Sequence, residues 1–374
     1  MTCSENQKTH PVLFLFFLAG VLLLSACGSS AGVSASSASD TSYSAQIFAM
    51  DTYMTVTAYG TDAEEAVLDV VSEINRLDAL LSAENEDSEV YALNLAGGGS
   101  VSEDTAYLLA RALEIADLTD GAFDIAVYPL MELWGFPSEE YYVPSAEEIS
   151  ALLPAADISN VVFDASGAEN ASDSADVSAD AAGGTLTLEN GARIDLGGIV
   201  KGYLSDRCEA VFSEYDITGA ICSLGGNIYA YGTKTDGSYW NIGIQDPAGE
   251  SGTDVIASLK VSGLSVITSG GYERYFEQDG VIYHHILDPD TGYPADSGVS
   301  SATVVSADGT LADGLSTALF VMGEEDAITL WRENSSLFDF ILVDEEGNIT
   351  VTEGISSGLK TTSSAAAVTV VTVQ

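Results

Sequence analysis

The spacing of apolar residues switches repeatedly between a period of two and a period of about 3.6, and the irregularity of that switching restricts the fold more than any single motif. Residues 44–59 (SAQIFAMDTYMTVTAY) alternate and are rich in β-branched and aromatic side chains, as strands are. Residues 62–81 then carry Ala66, Val67, Val70, Val71, Ile74, Leu77 and Leu81 along one helical face. Residues 105–118 form a second amphipathic pattern, and residues 145–153 begin a third, with Ser145 and Glu148 spaced as a capping box. Strands are predicted at 160–163 and 185–188, separated by residues 165–184 (ASGAENASDSADVSADAAGG), which lack periodicity and read as a solvated acidic insertion loop. Further on, residues 194–199 lead through Gly197-Gly198 into a helix at 201–215, and a buried strand at 219–224 ends in the turn formers Gly225-Gly226. Strands follow at 240–245, 255–261 and 302–306, with a helix at 311–322. No regular βαβ repetition and no Gly-x-Gly-x-x-Gly after a strand is present. The expected fold is therefore α+β, with mixed or antiparallel sheets and packed helices in a single catalytic domain.

Charge narrows the ligands. The 374 residues hold 57 Asp and Glu against 11 Lys and Arg, a formal charge of −46, while 46% of the chain is hydrophobic. A disordered acidic tail is excluded, because the apolar content suffices to offset chain entropy. Nucleic-acid binding is excluded too, since no basic stripe exists to displace counterions from phosphates. Any anionic ligand needs a metal, backbone N–H groups or one of the rare cations.

Residues 1–26 read as a signal peptide: Lys8 precedes an apolar run at 12–24 that is short for a membrane span, and Leu24-Ser25-Ala26-Cys27 resembles a bacterial lipobox. Cys27 would then carry the lipid and residues 27–43 form a flexible tether, placing the protein on the extracytoplasmic face of the bacterial cell membrane. An ordinary signal peptide with an incidental Cys is the alternative. The catalytic domain is expected over residues 44–355 and a C-terminal tail over 356–374. Cys208 and Cys222 fall in a helical and a strand pattern and are expected as separate buried thiols.

Seven segments carry Gly, Asp and Thr or aromatic residues at fixed offsets: FAMDTYMTV at 48–56, LSAENEDSEVYALN at 81–94, TDGAFDIAVYPLMELWGF at 119–136, IDLGGIVKGYLSD at 194–206, SLGGNIYAYG at 223–232, TSGGYERYFEQDGVIYHHILDPDTGYP at 268–294 and ADGLSTALFVMG at 312–323. In this order, from about residue 47 to about residue 351, the chain resembles the ApbE family of flavin transferases. The resemblance implies binding of FAD and Mg²⁺ and transfer of the FMN half, through a phosphoester bond, to a Thr or Ser hydroxyl of an acceptor flavoprotein, with release of AMP. It implies flavin-nucleotide contacts at Met50, Glu84, Ala122, Phe123, Asp124, Asp195, Lys201 and Leu287, metal ligation by Gly198, Asp313 and Thr317, and an acid/base role for His285. It further implies an acceptor such as a subunit of a membrane redox complex or another exported flavoprotein. Glu84 departs from the aromatic or amide side chain frequent in the family, Gly198 from a common Ala, and Gly271 from a frequent Asp. An FAD pyrophosphatase using water as acceptor and a non-enzymatic flavin-binding lipoprotein are the rival functions.

The residues make chemical sense without the family. Asp313 and Thr317 are four apart in a helical pattern and share a face, and their hard oxygen donors suit Mg²⁺. Lys201 stands at a helix start, where N–H groups and the helix dipole also favour an anion. His284 and His285 are neighbours in a strand pattern, so only one is expected to face the site. An imidazole with a pKa near 6.5 would take a proton from an attacking hydroxyl. Asp124 and Asp195 lie among apolar residues and are expected to accept hydrogen bonds from ligand or local backbone.

Overall fold

The period-two segments assemble mainly into one sheet. The computed structural model describes residues 41–166, 183–249 and 252–374. In it, β1 (Ser42–Ala49), β2 (Thr52–Gly60), β6 (Ile217–Leu224), β7 (Asn227–Gly232), β10 (Leu264–Gly270), β13 (Val299–Ser306), β14 (Asp339–Asp344), β15 (Asn348–Thr352) and β17 (Ala367–Val371) lie side by side in that order. Every neighbouring pair is antiparallel except β15 with β17. Three small sheets accompany it: β3 (Gly98–Val101), β5 (Gly184–Leu188) and β4 (Val161–Asp164); β8 (Trp240–Gln245), β9 (Val255–Val261) and β16 (Leu359–Thr361); and the hairpin β11 (Tyr275–Gln278) with β12 (Val281–His284).

Successive strand residues point to opposite faces, and here both faces are covered. Ile267, Val304, Phe340 and Leu342 join the larger core, which the helices share. Their neighbours Val266, Val305, Ile341 and Val343 join a second core closed by Trp240, Ile242, Ile256 and Leu259 of the β8–β9 sheet. The helical side holds α1 (Ala63–Leu81), α2 (Glu89–Ala96), α3 (Glu103–Leu118), α4 (Tyr128–Trp134), α5 (Ala146–Leu152), α6 (Val200–Phe212), α7 (Gly309–Met322) and α8 (Glu324–Asn334), whereas the short α9 (Glu353–Ser356) packs Ile355 against the second core. α1 buries Ala66, Val67, Val70, Ile74 and Leu77, the face read from sequence. α5 has the expected capping box between Ser145 and Glu148.

α7 is buried on nearly all sides, so its polar groups have to be satisfied internally. Asp308 accepts from the N–H of Leu311, and Asp206 of α6 accepts from Gly309 N at 2.7 Å, Thr310 N at 2.9 Å and Thr310 Oγ1 at 2.5 Å. The two helices touch through glycines: a Cβ on Gly202 would fall 2.1 Å from the carbonyl oxygen of Gly309. Only this close approach brings Asp313 of α7 against the backbone of α6.

Two expected boundaries move. The catalytic domain was expected from residue 44, yet β1 starts at Ser42. Residues 356–374, expected as a tail, supply β16, which pairs with β9, and β17, which extends the main sheet beside β15. The β-branched residues of AVTVV suit the last segment to a strand. β4 and β5 pair antiparallel, so the acidic insertion starts and ends at neighbouring strand ends; residues 167–182 of it lie outside the described residues, as do the signal peptide, Cys27 and all but the last three residues of the tether. Cys208 and Cys222 are free and buried. Among the described residues no helix is long and apolar enough to cross a membrane.

Candidate active site

Asp313 is 4% exposed. Its Oδ2 accepts from Gly202 N at 2.8 Å and its Oδ1 from Asn227 Nδ2 at 3.1 Å. Asn227 is delivered by the β6–β7 turn, where Gly225 and Gly226 have φ of 65° and 96°, the left-handed conformations a tight hairpin demands. Burial pushes the Asp313 carboxyl above its ordinary range, opposed by the charge of Lys201 and by these hydrogen bonds. Among the described residues no ion pair neutralises it. One helical turn on, Thr317 Oγ1 lies 3.2 Å from Ser269 Oγ, which also meets Ser316 Oγ at 2.8 Å. Gly198 is adjacent: a Cβ built on it would lie 3.9 Å from Thr317 Oγ1 and 3.2 Å from the ring of Phe123. The arrangement offers one carboxylate, one hydroxyl and main-chain oxygen, the donor chemistry of a hard cation. Among the described residues no cluster of three or more His, Cys, Asp or Glu side chains is suited to a metal, so a site here depends on hydroxyl and carbonyl oxygen.

His285 follows β12 directly, and Arg274 precedes β11. The carbonyl of Arg274 accepts from His285 N at 3.0 Å and faces His285 Nδ1 at 3.1 Å. A carbonyl only accepts, so Nδ1 carries the proton and Nε2 keeps its lone pair. Burial, then the Arg274 charge, and beyond them Lys201, push the imidazole down to about 3, so it is neutral at physiological pH. His284 points elsewhere, as strand alternation requires: its Nε2 meets the carbonyl of Ala295 at 3.1 Å and its ring stands edge-on to Phe320. A side chain at position 271 would press on His284, which a Cβ would approach within 2.8 Å, so Gly271 makes room for this ring.

Lys201, in the first turn of α6, is the cation whose charge bears on Asp195, Asp313 and His285 alike. Asp195 accepts from Gly197 N at 2.8 Å; burial raises its carboxyl, and Gly197, Arg274 and Lys201 restrain the rise. Glu84 sits in the same electrostatic neighbourhood: partial desolvation and then Asp51 push it up, while Arg274 pulls it down. Met50 and Asp51 form the β1–β2 turn with φ of 50° and 56°, unusual for residues with side chains, and Met50 N is tied to Asp78 of α1 at 2.8 Å. Segments far apart in sequence thus converge on Lys201 and His285.

Not every sequence-predicted residue turns toward that point. Phe123 is buried against Gly198, and Ala122 is half-buried beside it. Asp124, by contrast, spends both oxygens on local backbone, accepting from Ala126 N at 2.6 Å and Ile158 N at 2.8 Å, and burial raises it to about 6. It lines an open cleft of about 660 Å³ with Asp117, Asp120, Asp157 and Asp290, whose walls include neither Lys201, His285 nor Asp313. Leu287 is buried and bridges to Pro294 at the base of the Asp288–Gly292 turn. Sequence reasoning did not single out Arg274, Asn227 or Ser269. Arg274 carried one available signal, being among only 11 basic residues and inside a quoted motif; nothing local marks the other two, because their roles arise from strand pairing.

Known proteins resemble this chain in sequence and fold. Residues 50–341 match the ApbE family. The FAD:protein FMN transferase of Treponema pallidum is 33% identical over 334 residues, covering 85% of this chain and 89% of the relative. That of Klebsiella pneumoniae is 33% identical over 279 residues, covering 74% and 81%. The crystal structure of the ApbE protein from Thermotoga maritima superposes with a TM-score of 0.74 at 36% identity, covering 84% of this chain and 98% of that one. The apo flavinyl transferase ApbE of Pseudomonas stutzeri gives 0.70 at 29% identity, covering 84% and 95%. With the fold, the motifs in register and these relatives in agreement, the chain belongs to the ApbE family.

Proposed function

We propose that this chain is a transferase that moves the FMN portion of FAD to a Thr or Ser hydroxyl of an acceptor flavoprotein. The acceptor oxygen bonds to the FMN phosphorus, the bond from that phosphorus to the bridging oxygen breaks, and AMP departs. The observation that carries this reading is the convergence of a proton-free His285 Nε2, the Lys201 cation and the buried, unneutralised Asp313 carboxylate at one place, in a chain whose relatives are named FAD:protein FMN transferase.

The residues fit a Mg²⁺ ion, since a buried carboxylate that closes no ion pair among the described residues is stabilised by one: Asp313, Thr317 and the carbonyl of Gly198 would hold it. Such an ion, when bound, neutralises charge on a diphosphate. The chain itself does the rest. His285 Nε2 receives the acceptor proton, held in place by the Arg274 carbonyl. Lys201 attracts the anionic nucleotide in a protein that otherwise repels it. Phe123 closes the floor beneath Gly198. Anchoring through Cys27 on the extracytoplasmic face, with an acceptor in a membrane redox complex, accords with the Leu24–Cys27 motif and with the acidic composition, which holds the domain off anionic lipid.

Incubation with FAD, Mg²⁺ and a candidate acceptor, followed by intact-mass analysis of the acceptor, tests the proposal. An added FMN on Thr or Ser is expected. Free FMN and AMP with every acceptor unmodified would instead identify a pyrophosphatase.

A further inference from the structure

We infer that Arg274 is a second anion contact of the site, facing the diphosphate of the flavin nucleotide together with Lys201; the inference rests on the nucleotide reading above. Basic residues are scarce in this chain, 11 against 57 acids, and most arginines are committed. Arg76, Arg111, Arg193 and Arg207 all close ion pairs with carboxylates. Arg274 closes none among the described residues, although Glu84 and Asp195 lie within reach of its charge. Its guanidinium donates to the carbonyl of Phe136 at 2.8 Å, which leaves most of its five N–H donors for another acceptor.

The group is also held still. Phe136 is fully buried just after α4, whose end is fixed by Gly135 in a left-handed conformation. At the other end, the main chain of Arg274 is tied to His285 N. A planar fork fixed at both ends is oriented before a ligand arrives, which suits the oxygens of a phosphate better than a mobile ammonium does. Lys201 and Arg274 bear on the same two groups, Asp195 and His285. Neither cation closes an ion pair among the described residues, so an anion placed beside the neutral imidazole is attracted by both. A diphosphate supplies the anion, and the position of Arg274 next to His285 sets it at the end of the nucleotide where the bond breaks.

Riboflavin separates this role from a structural one, because it shares the isoalloxazine and ribityl groups of FAD and has no phosphate. Affinities of the purified protein for FAD and for riboflavin are to be measured by flavin fluorescence in wild type, Arg274→Gln and Arg274→Lys, each over a range of salt. Arg274→Gln is expected to weaken FAD about tenfold or more, the scale of one charge-assisted hydrogen bond, and to flatten the salt dependence, with riboflavin affinity unchanged. Arg274→Lys should recover part of the loss. Equal FAD affinity in all three proteins would overturn the inference, as would parallel losses for FAD and riboflavin, which would make Arg274 a prop for Phe136. Failure of the wild type to bind FAD while binding riboflavin would overturn the nucleotide reading and this inference with it.

Discussion

His285 and His284 are adjacent in sequence and opposite in role, and the difference lies in where each ring nitrogen is spent. Nδ1 of His285 is fixed on the Arg274 carbonyl, whereas His284 is wedged against Phe320 and Ala295. His285→Ala should therefore lower transfer by about 10²-fold or more with little change in FAD affinity, the usual scale for a general base. His284→Ala should keep its rate per folded molecule and lose thermal stability. An unperturbed histidine would give kcat/KM rising through pH 6.5, as sequence alone suggests; in the nucleotide-free protein the imidazole is pushed down to about 3, so the base is neutral before FAD binds, and kcat/KM for transfer is expected to stay level between pH 5.5 and 8. A limb near 6.5 that disappears in His285→Ala would contradict this. Asp124 makes a complementary prediction for folding. Its carboxyl is raised in the fold from 3.8 to about 6, so its contribution to stability is complete below pH 3.8 and is lost as pH rises through 6. Melting temperatures measured from pH 4 to 6.5 should show Asp124→Asn without that part of the downward slope. The types of these residues were legible in the sequence, but the tautomer of His285 and the backbone ties of Asp124 were not, because both are set by main-chain groups at 274 and at 126 and 158.

At the level of elements, the site depends on α6 and α7 meeting through Gly202 and Gly309, with Asp206 capping the start of α7. Asp206→Ala leaves Gly309 N and Thr310 N without their acceptor in a buried setting, an expected cost of about 1–3 kcal/mol read by chemical denaturation. Because Asp313 sits one turn further on, the same change should raise the Mg²⁺ concentration needed at the proposed metal site; an unaltered midpoint and metal response would show that Asp308 alone holds the helix end. Helix and strand periodicity foretold α1, α6, α7 and the strands of β1–β2, β8 and β9, but not which strands pair. The order of strands in the main sheet was not foretold. β10 lies between β7 and β13, and that choice reflects which apolar faces fit together across long sequence separations.

For the whole molecule, strand pairing explains why the chain end belongs to the fold. β17 completes the sheet edge and β16 closes the β8–β9 sheet, so removal of residues 359–374 uncovers β15 and β9 and should lower the melting temperature by several degrees. A truncated protein as stable as the full chain would restore the idea of a dispensable tail. The same architecture brings the charges of Lys201 and Arg274 to bear on one site, which is how a chain of charge −46 admits an anionic nucleotide at all. If His285 accepts the proton in FMN transfer and Asp313 is the carboxylate of the site, both show in the intact mass of an acceptor flavoprotein incubated with FAD, Mg²⁺ and wild type, His285→Ala or Asp313→Asn. An FMN adduct on a Thr or Ser is expected with wild type and little or none in the same time with either variant; adduct formation at the wild-type rate by either variant would rule these roles out.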